Sequence, residues 1–335
     1  MQTQLLRDLL AIDSPTGFTH NAATFIEREL SAAGFQPQRT AKGAVRCALG
    51  AAPTLEIAAH TDTLGAIVSG VNPNGTLRFS PIGGLLLPSF EGAYVRIHTL
   101  GGTVHTGTLL LNDPSAHANA KAASNERTDR TMHIRVDAVV ASAADIAALG
   151  IRNGDIIAFD TKYEELPTGF IKSHFLDNKA GCFVLLEVAK RVAEQGKQYP
   201  VELFFSTYEE VGHGGAPALS DTIDEILVID MGVVGDALSG SEQRCSICAK
   251  DSGGPYDYQF RTKLTLLAEQ HSIAHSVDVY PHYSSDGTAA WRAGVDARVA
   301  LIGPGVHASH GMERTHRDGI SATVELCMAY IHTLG

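Results

Sequence analysis

Residues 55–65 read Leu55-Glu56-Ile57-Ala58-Ala59-His60-Thr61-Asp62-Thr63-Leu64-Gly65, a short, mainly apolar run that passes directly into a histidine and an aspartate. A run of this length predicts a buried strand over 55–59. Strands buried on both faces belong to sheets covered by helices on either side. In open α/β sheets the chemistry collects beyond the carboxyl ends of the strands. His60 and Asp62 stand at such an end.

Upstream, Leu5, Leu6, Leu9 and Leu10 predict an amphipathic helix over Thr3–Ile12, which Ser14-Pro15-Thr16-Gly17 breaks. A second helix is expected from Asn21 to Ala33, closed by Gly34. Downstream the character changes. The β-prone runs 93–98, 104–111, 133–136 and 155–159 recur between Gly-, Asn-, Asp- and Pro-rich turns, with a brief helix near 143–149 and an irregular polar loop over 116–130. That pattern predicts a small β-barrel. After Phe170 the α/β rhythm returns. A helix is expected over 178–194, strands over 201–207, 226–230 and 297–302, and a closing helix over 318–334. Gly303-Pro304-Gly305 reads as a turn after the last strand. The expected fold is α/β, with a mainly parallel central sheet, helices on both faces and an inserted small β-barrel. The expected domains are a discontinuous catalytic unit, 1–65 and 167–335, and an insertion, 66–166.

The chain has 335 residues and a formal net charge of −11, from 37 acidic and 26 basic residues. Nucleic acid requires a basic footprint, so it is excluded as a partner. No apolar run reaches the roughly 18 residues that cross a bilayer, and the stretch 1–8 mixes charge into its apolar positions, unlike a signal-peptide core. A cytoplasmic protein is expected, in which Cys47, Cys182, Cys245, Cys248 and Cys327 stay reduced. Cys245-Ser246-Ile247-Cys248 has the spacing of half a zinc site, but no second pair completes it, and buried thiols are expected there.

The remaining strand ends repeat the first. Tyr208-Glu209-Glu210 follows the 201–207 strand, Asp230 follows Val228-Ile229, and His307 and His310 follow Ala300-Leu301-Ile302. His174, Asp177 and Asn178 precede the long helix. Each alone has an ordinary explanation, an Asp as a helix cap or a His as a structural residue. Their gathering at one sheet edge suits two divalent metals. Imidazole with carboxylate favours zinc or cobalt over magnesium, and paired ions need a bridging carboxylate. His60, Asp177, Glu210, Asp230 and a late histidine fill those places. Glu209 is then free to act as a base, and Asp62 is placed to orient His60 from behind.

These residues lie in motifs that resemble the tetrahedral dinuclear-metal aminopeptidases, including the glutamyl and deblocking aminopeptidases. The resemblance covers nearly the whole chain and rests on Ala59-His60-Thr61-Asp62-Thr63-Leu64-Gly65, Leu176-Asp177-Asn178-Lys179-Ala180-Gly181, Thr207-Tyr208-Glu209-Glu210-Val211-Gly212 and Val228-Ile229-Asp230-Met231-Gly232. Leu149–Asp155 is similar to the turn that ends the family's inserted domain. The resemblance implies that Asp177 bridges both ions, and that His60, Asp230, Glu210 and the late histidine complete the set. Zinc is the expected metal, with cobalt or manganese as alternatives. It further implies Glu209 as general base, Asp62 as the supporting carboxylate and a homo-oligomer between dimer and dodecamer.

Two stretches depart from the family's pattern. Gly305-Val306-His307-Ala308-Ser309-His310-Gly311-Met312-Glu313 stands where Arg-Tyr-x-His is usual. Glu313 favours His310 as the ligand, with His307 the alternative. Ser284-Ser285-Asp286-Gly287-Thr288-Ala289-Ala290 stands where Gly-Thr-Asp-Ala is typical. No expected ligand lies there, so the change bears on the substrate pocket, to which Lys172 and His174 are also candidates. The expected function is a metal-dependent aminopeptidase acting on peptides. The rival readings are a two-metal deacylase or carboxypeptidase-like enzyme on another small amide, and a non-catalytic metal-binding scaffold.

Overall fold

The structure is a computed structural model that describes residues 3–215 and 222–335; Met1 and Gln2 lie outside it. The chain forms two compact units. One runs up to Thr63 and resumes at Lys162; the other spans Leu64–Thr161.

The first unit is built on a mixed sheet of thirteen strands. At its centre Val201–Ser206, Leu55–His60, Glu225–Ile229 and Arg298–His307 lie side by side and parallel. Every residue of Leu55–His60 and of Val201–Ser206 is buried, which requires cover on both faces. The long helix Leu176–Gln195 and the last helix, Arg317–Ile331, pack on these strands. Antiparallel strands widen the sheet on either side: Val45–Ala48 beside Val201–Ser206, and Cys245–Asp251 and Glu313–His316 beside Arg298–His307. Residues 162–166, assigned to the insertion on sequence, fall in this unit, where Glu164–Glu165 pairs with Phe170–Ser173.

Gly303-Pro304-Gly305 is not a turn. Arg298–His307 continues through it as one ten-residue strand. Pro304 lies opposite Cys245, and Gly305 and Val306 pair with Gly232 and Val233. Glycine is required at 303 because a Cβ there would lie 1.6 Å from the Asp230 carbonyl oxygen. The glycine-proline signal marks a close backbone approach, not a reversal.

The second unit is a closed barrel in the order Gly65–Val71, Leu77–Ile82, Met132–Val136, Val104–Leu111, Tyr94–His98, Ile156–Phe159. Its interior is filled by alternate residues, among them Val68, Phe79, Val95, Ile97, Leu109, Ile134 and Ile157. Phe90 and Phe159 meet edge to face at 4.9 Å. Among the described residues no helix is long and apolar enough to cross a membrane.

Candidate active site

Each group at the sheet edge is set by the local backbone. His60 closes its strand and is buried. Its Nδ1 lies 2.9 Å from the Asp62 carbonyl oxygen. A carbonyl only accepts, so Nδ1 carries the hydrogen and Nε2 faces inward. That Nε2 is 3.1 Å from Asp177 Oδ1, 3.8 Å from Glu209 Oε2 and 4.0 Å from Asp230 Oδ1. Burial opposes protonation of His60, but the hydrogen bond to Asp177 and the surrounding negative charges outweigh it and raise its pKa.

Asp177 is placed by an irregular entry into its helix. Phe175 is left-handed, and Asp177 and Asn178 depart from helical geometry. Asn178 secures this entry, donating to the Ile229 carbonyl at 2.8 Å and accepting from the Gly181 N–H at 3.1 Å. Burial works against ionisation of Asp177, but the His310 and His60 rings hold its pKa well below the usual carboxylate range.

After the Val201–Ser206 strand, Tyr208 turns left-handed and Glu209–Val211 forms a single 3₁₀ turn. The turn aims both glutamates into the cluster, as an extended strand would not. Asp62 holds this turn: Oδ1 accepts from the Glu209 N–H (3.2 Å), and Oδ2 from the Glu210 N–H (3.3 Å) and the Thr16 hydroxyl (2.6 Å). Here the structure departs from expectation. The Asp62 carboxylate lies 3.7 Å from the His60 ring, and the Asp62 carbonyl is what orients it. Burial followed by neighbouring charge pushes Glu209, Glu210 and Asp230 upward, Asp230 to about 8.

His310, in a left-handed turn, brings Nε2 to 3.6 Å from Asp177 Oδ2 and 3.8 Å from Glu210 Oε2. His307 is exposed at the end of its strand, level with Arg314. Glu313 fixes the turn: Oε1 accepts from the His310 N–H at 3.0 Å and Oε2 from the Asp177 N–H at 3.1 Å. His60, Asp177 and Glu210 offer ligand atoms within 4.8 Å of one another. Glu210 Oε1 is buried without a hydrogen-bond partner among the described residues. Carboxylates crowded against one another, with a buried oxygen left over, form a donor set that suits divalent cations.

Sequence reading gave no role of its own to three neighbours. Asp286 is buried, accepts from the Ser206 hydroxyl at 2.6 Å and has its pKa raised to about 6, chiefly by burial. Its signal was the Ser-x-x-Thr capping box of Ser285 and Thr288, which marks a helix start there. Tyr283 donates to the Met231 carbonyl at 3.1 Å, and Lys179 is buried, its pKa lowered to about 8 by burial. Of the two pocket candidates, Lys172 pairs with Glu164. The His174 ring, buried, lies 2.6 Å from the Gly311 carbonyl beside the His310 turn.

Among the described residues Cys245 and Cys248 build no metal site. Both are buried free thiols on one strand, three residues apart and so on opposite faces.

The profile of the M42 glutamyl aminopeptidase family matches residues 43–326. YhfE of Bacillus subtilis (strain 168) is 38% identical over 335 residues, covering 98% of this chain and 97% of that one. The TET aminopeptidase of the marine sediment archaeon Thaumarchaeota archaeon SCGC AB-539-E09 superposes with a TM-score of 0.89 at 19% identity, over 98% of this chain and 95% of its own. The Pyrococcus horikoshii TET1 peptidase, which assembles into a tetrahedron or a large octahedral shell, gives 0.87 at 20% identity, over 98% of both chains. By the extent of the family match and of the Bacillus relative, this chain belongs to the M42 family of glutamyl aminopeptidases, hydrolases of the peptide bond.

Proposed function

We propose that the protein releases N-terminal residues from peptides at a two-metal centre held by His60, Asp177, Glu210, Asp230 and His310, with Glu209 as general base. The observation that carries this is the convergence of these groups on Asp177, between His60 and His310. Asp177 presents one carboxylate oxygen to each histidine, as a bridging ligand does. Zinc suits the donor set best, with cobalt or manganese as substitutes. Bound there, divalent ions supply Lewis acidity and lower the pKa of water from about 15.7 toward 7.

The chain's own groups do the rest. Glu209 takes a proton from the attacking water and returns it to the leaving amine, which suits a carboxyl whose pKa burial has raised. Asp62 keeps the Glu209–Glu210 turn in place through two backbone N–H groups. The match of the glutamyl aminopeptidase family over residues 43–326 favours aminopeptidase over deacylase chemistry. Assembly into a homo-oligomer is supported by apolar side chains exposed on the barrel unit, Tyr94, Leu100 and Val139. To that unit we assign the contacts between copies. Free thiols at all five cysteines are in keeping with a reducing cytoplasm.

Glu209→Gln is the test. It should retain bound metal and lose at least about 100-fold in kcat on aminoacyl-p-nitroanilides. Undiminished turnover removes Glu209 from its role. Equal cleavage of N-acetylated substrates by the wild-type protein favours the deacylase.

A further inference from the structure

The edge strand His275–Val279 and the residue that follows it have an inverted pattern. Ser276 and Tyr280 are buried, whereas Val277 and Val279 are 38% and 50% exposed. Asp278 shares the inward face by alternation. In the neighbouring strand Ser246 is fully buried and pairs in register with Ser276, as Cys248 does with Asp278. A sheet face that turns polar groups inward must satisfy them there.

Among the described residues, the protein does not do so. Ser276 Oγ and Asp278 Oδ2 are buried without a hydrogen-bond partner, and Ser246 Oγ is buried with the Tyr280 hydroxyl as its neighbour, leaving a lone pair free. Three of these oxygens converge. A Cβ built on Gly240 would lie 3.3 Å from Asp278 Oδ2 and 3.4 Å from each serine oxygen. The backbone thus closes one side of a small cup whose wall is oxygen. The other Asp278 oxygen is committed, accepting from the Ser239 N–H (2.9 Å) and hydroxyl (2.8 Å). No basic side chain among the described residues forms an ion pair with Asp278.

We propose that these oxygens bind an alkali-metal cation. The donors are hard and all oxygen, and they include one carboxylate. Calcium takes about 6–8 oxygens, usually with several carboxylates, and magnesium demands a near-octahedral shell. A single charge among neutral hydroxyls matches a monovalent ion. A water molecule would satisfy the hydrogen bonds but leave the carboxylate's charge uncompensated. The cation ties the 239–240 loop to two strands, one of which presents Ser246 against Gly232, two residues beyond Asp230; a Cβ at 232 would meet Ser246 Oγ at 2.1 Å. The site stands whatever the catalytic roles of the metal cluster.

The test is thermal unfolding of the full chain, with its divalent metals, in lithium, sodium, potassium or tetramethylammonium chloride at equal ionic strength. At least one alkali salt should raise Tm by roughly 3 °C or more over tetramethylammonium. Asp278→Asn and Ser276→Ala should each remove the difference. If Asp278→Asn does not fold, Ser276→Ala carries the comparison. The same Tm in every salt, or an ion-specific rise that persists in both variants, overturns the proposal and leaves a buried water.

Discussion

Glu313 holds the two halves of the proposed metal site with one side chain, because each of its oxygens accepts a different backbone N–H, one from Asp177 and one from His310. A glutamine there keeps one acceptor and turns a donor toward the other N–H. Glu313→Gln should therefore weaken metal retention about 10–100-fold, as loss of a group that orients ligands does. Metal content after dialysis against graded chelator measures it; unchanged retention would make Glu313 a bystander. At this scale the gathering of His60, Glu210 and Asp230 was legible because each stands at or just beyond a buried run, where chemistry in such sheets collects. The actual work of Asp62 was not. Its partners Glu209 and Glu210 lie 147 and 148 residues away in sequence and meet it only through the parallel pairing of Leu55–His60 with Val201–Ser206. The preference for His310 over His307 was legible through Glu313, but the turn that Glu313 pins was not.

At the scale of elements, Arg298–His307 does two jobs. Its first half builds the sheet centre, and Gly303 lets the strand end bearing Asp230 pass in contact. Gly303→Ala would drive a methyl group into the Asp230 carbonyl, 1.6 Å away. The expected cost is about 3 kcal/mol or more, read as a loss in chemical denaturation, and a variant of wild-type stability would show that the two strands are not so closely apposed. The same stretch explains why sequence reading failed here: glycine and proline punctuate turns far more often than they permit strand contact. The barrel was legible as recurrent short strands, but Gly65–Val71 and Leu77–Ile82 were not. A bulge between Val68 and Gly70 breaks their alternation, and Pro81 interrupts the second.

At the scale of the molecule, the crowded carboxylates tie stability to metal and pH together. Asp230 and Glu313 have pKa values raised to about 8 and Asp286 to about 6, in each case chiefly by burial. The unfolded values lie near 4. Between about pH 4 and 8 the metal-free folded chain therefore binds protons that the unfolded chain has released, and its stability falls as pH rises. His60, with its raised value, acts in the same direction through its own titration. Metal-free protein should melt lower at pH 8 than at pH 6, and zinc should raise Tm more at pH 8, since cations take the place of protons. A metal-free Tm that climbs from pH 6 to pH 8 would contradict this.

The most direct measurement is a metal titration of the stripped enzyme, followed through release of free N-terminal residues from a panel of aminoacyl-p-nitroanilides and short peptides. Turnover should be absent without metal, return with zinc or cobalt, and saturate at about two ions per chain. Turnover that survives complete removal of metal, or full activity at one ion per chain, would contradict a centre built on Asp177 between His60 and His310.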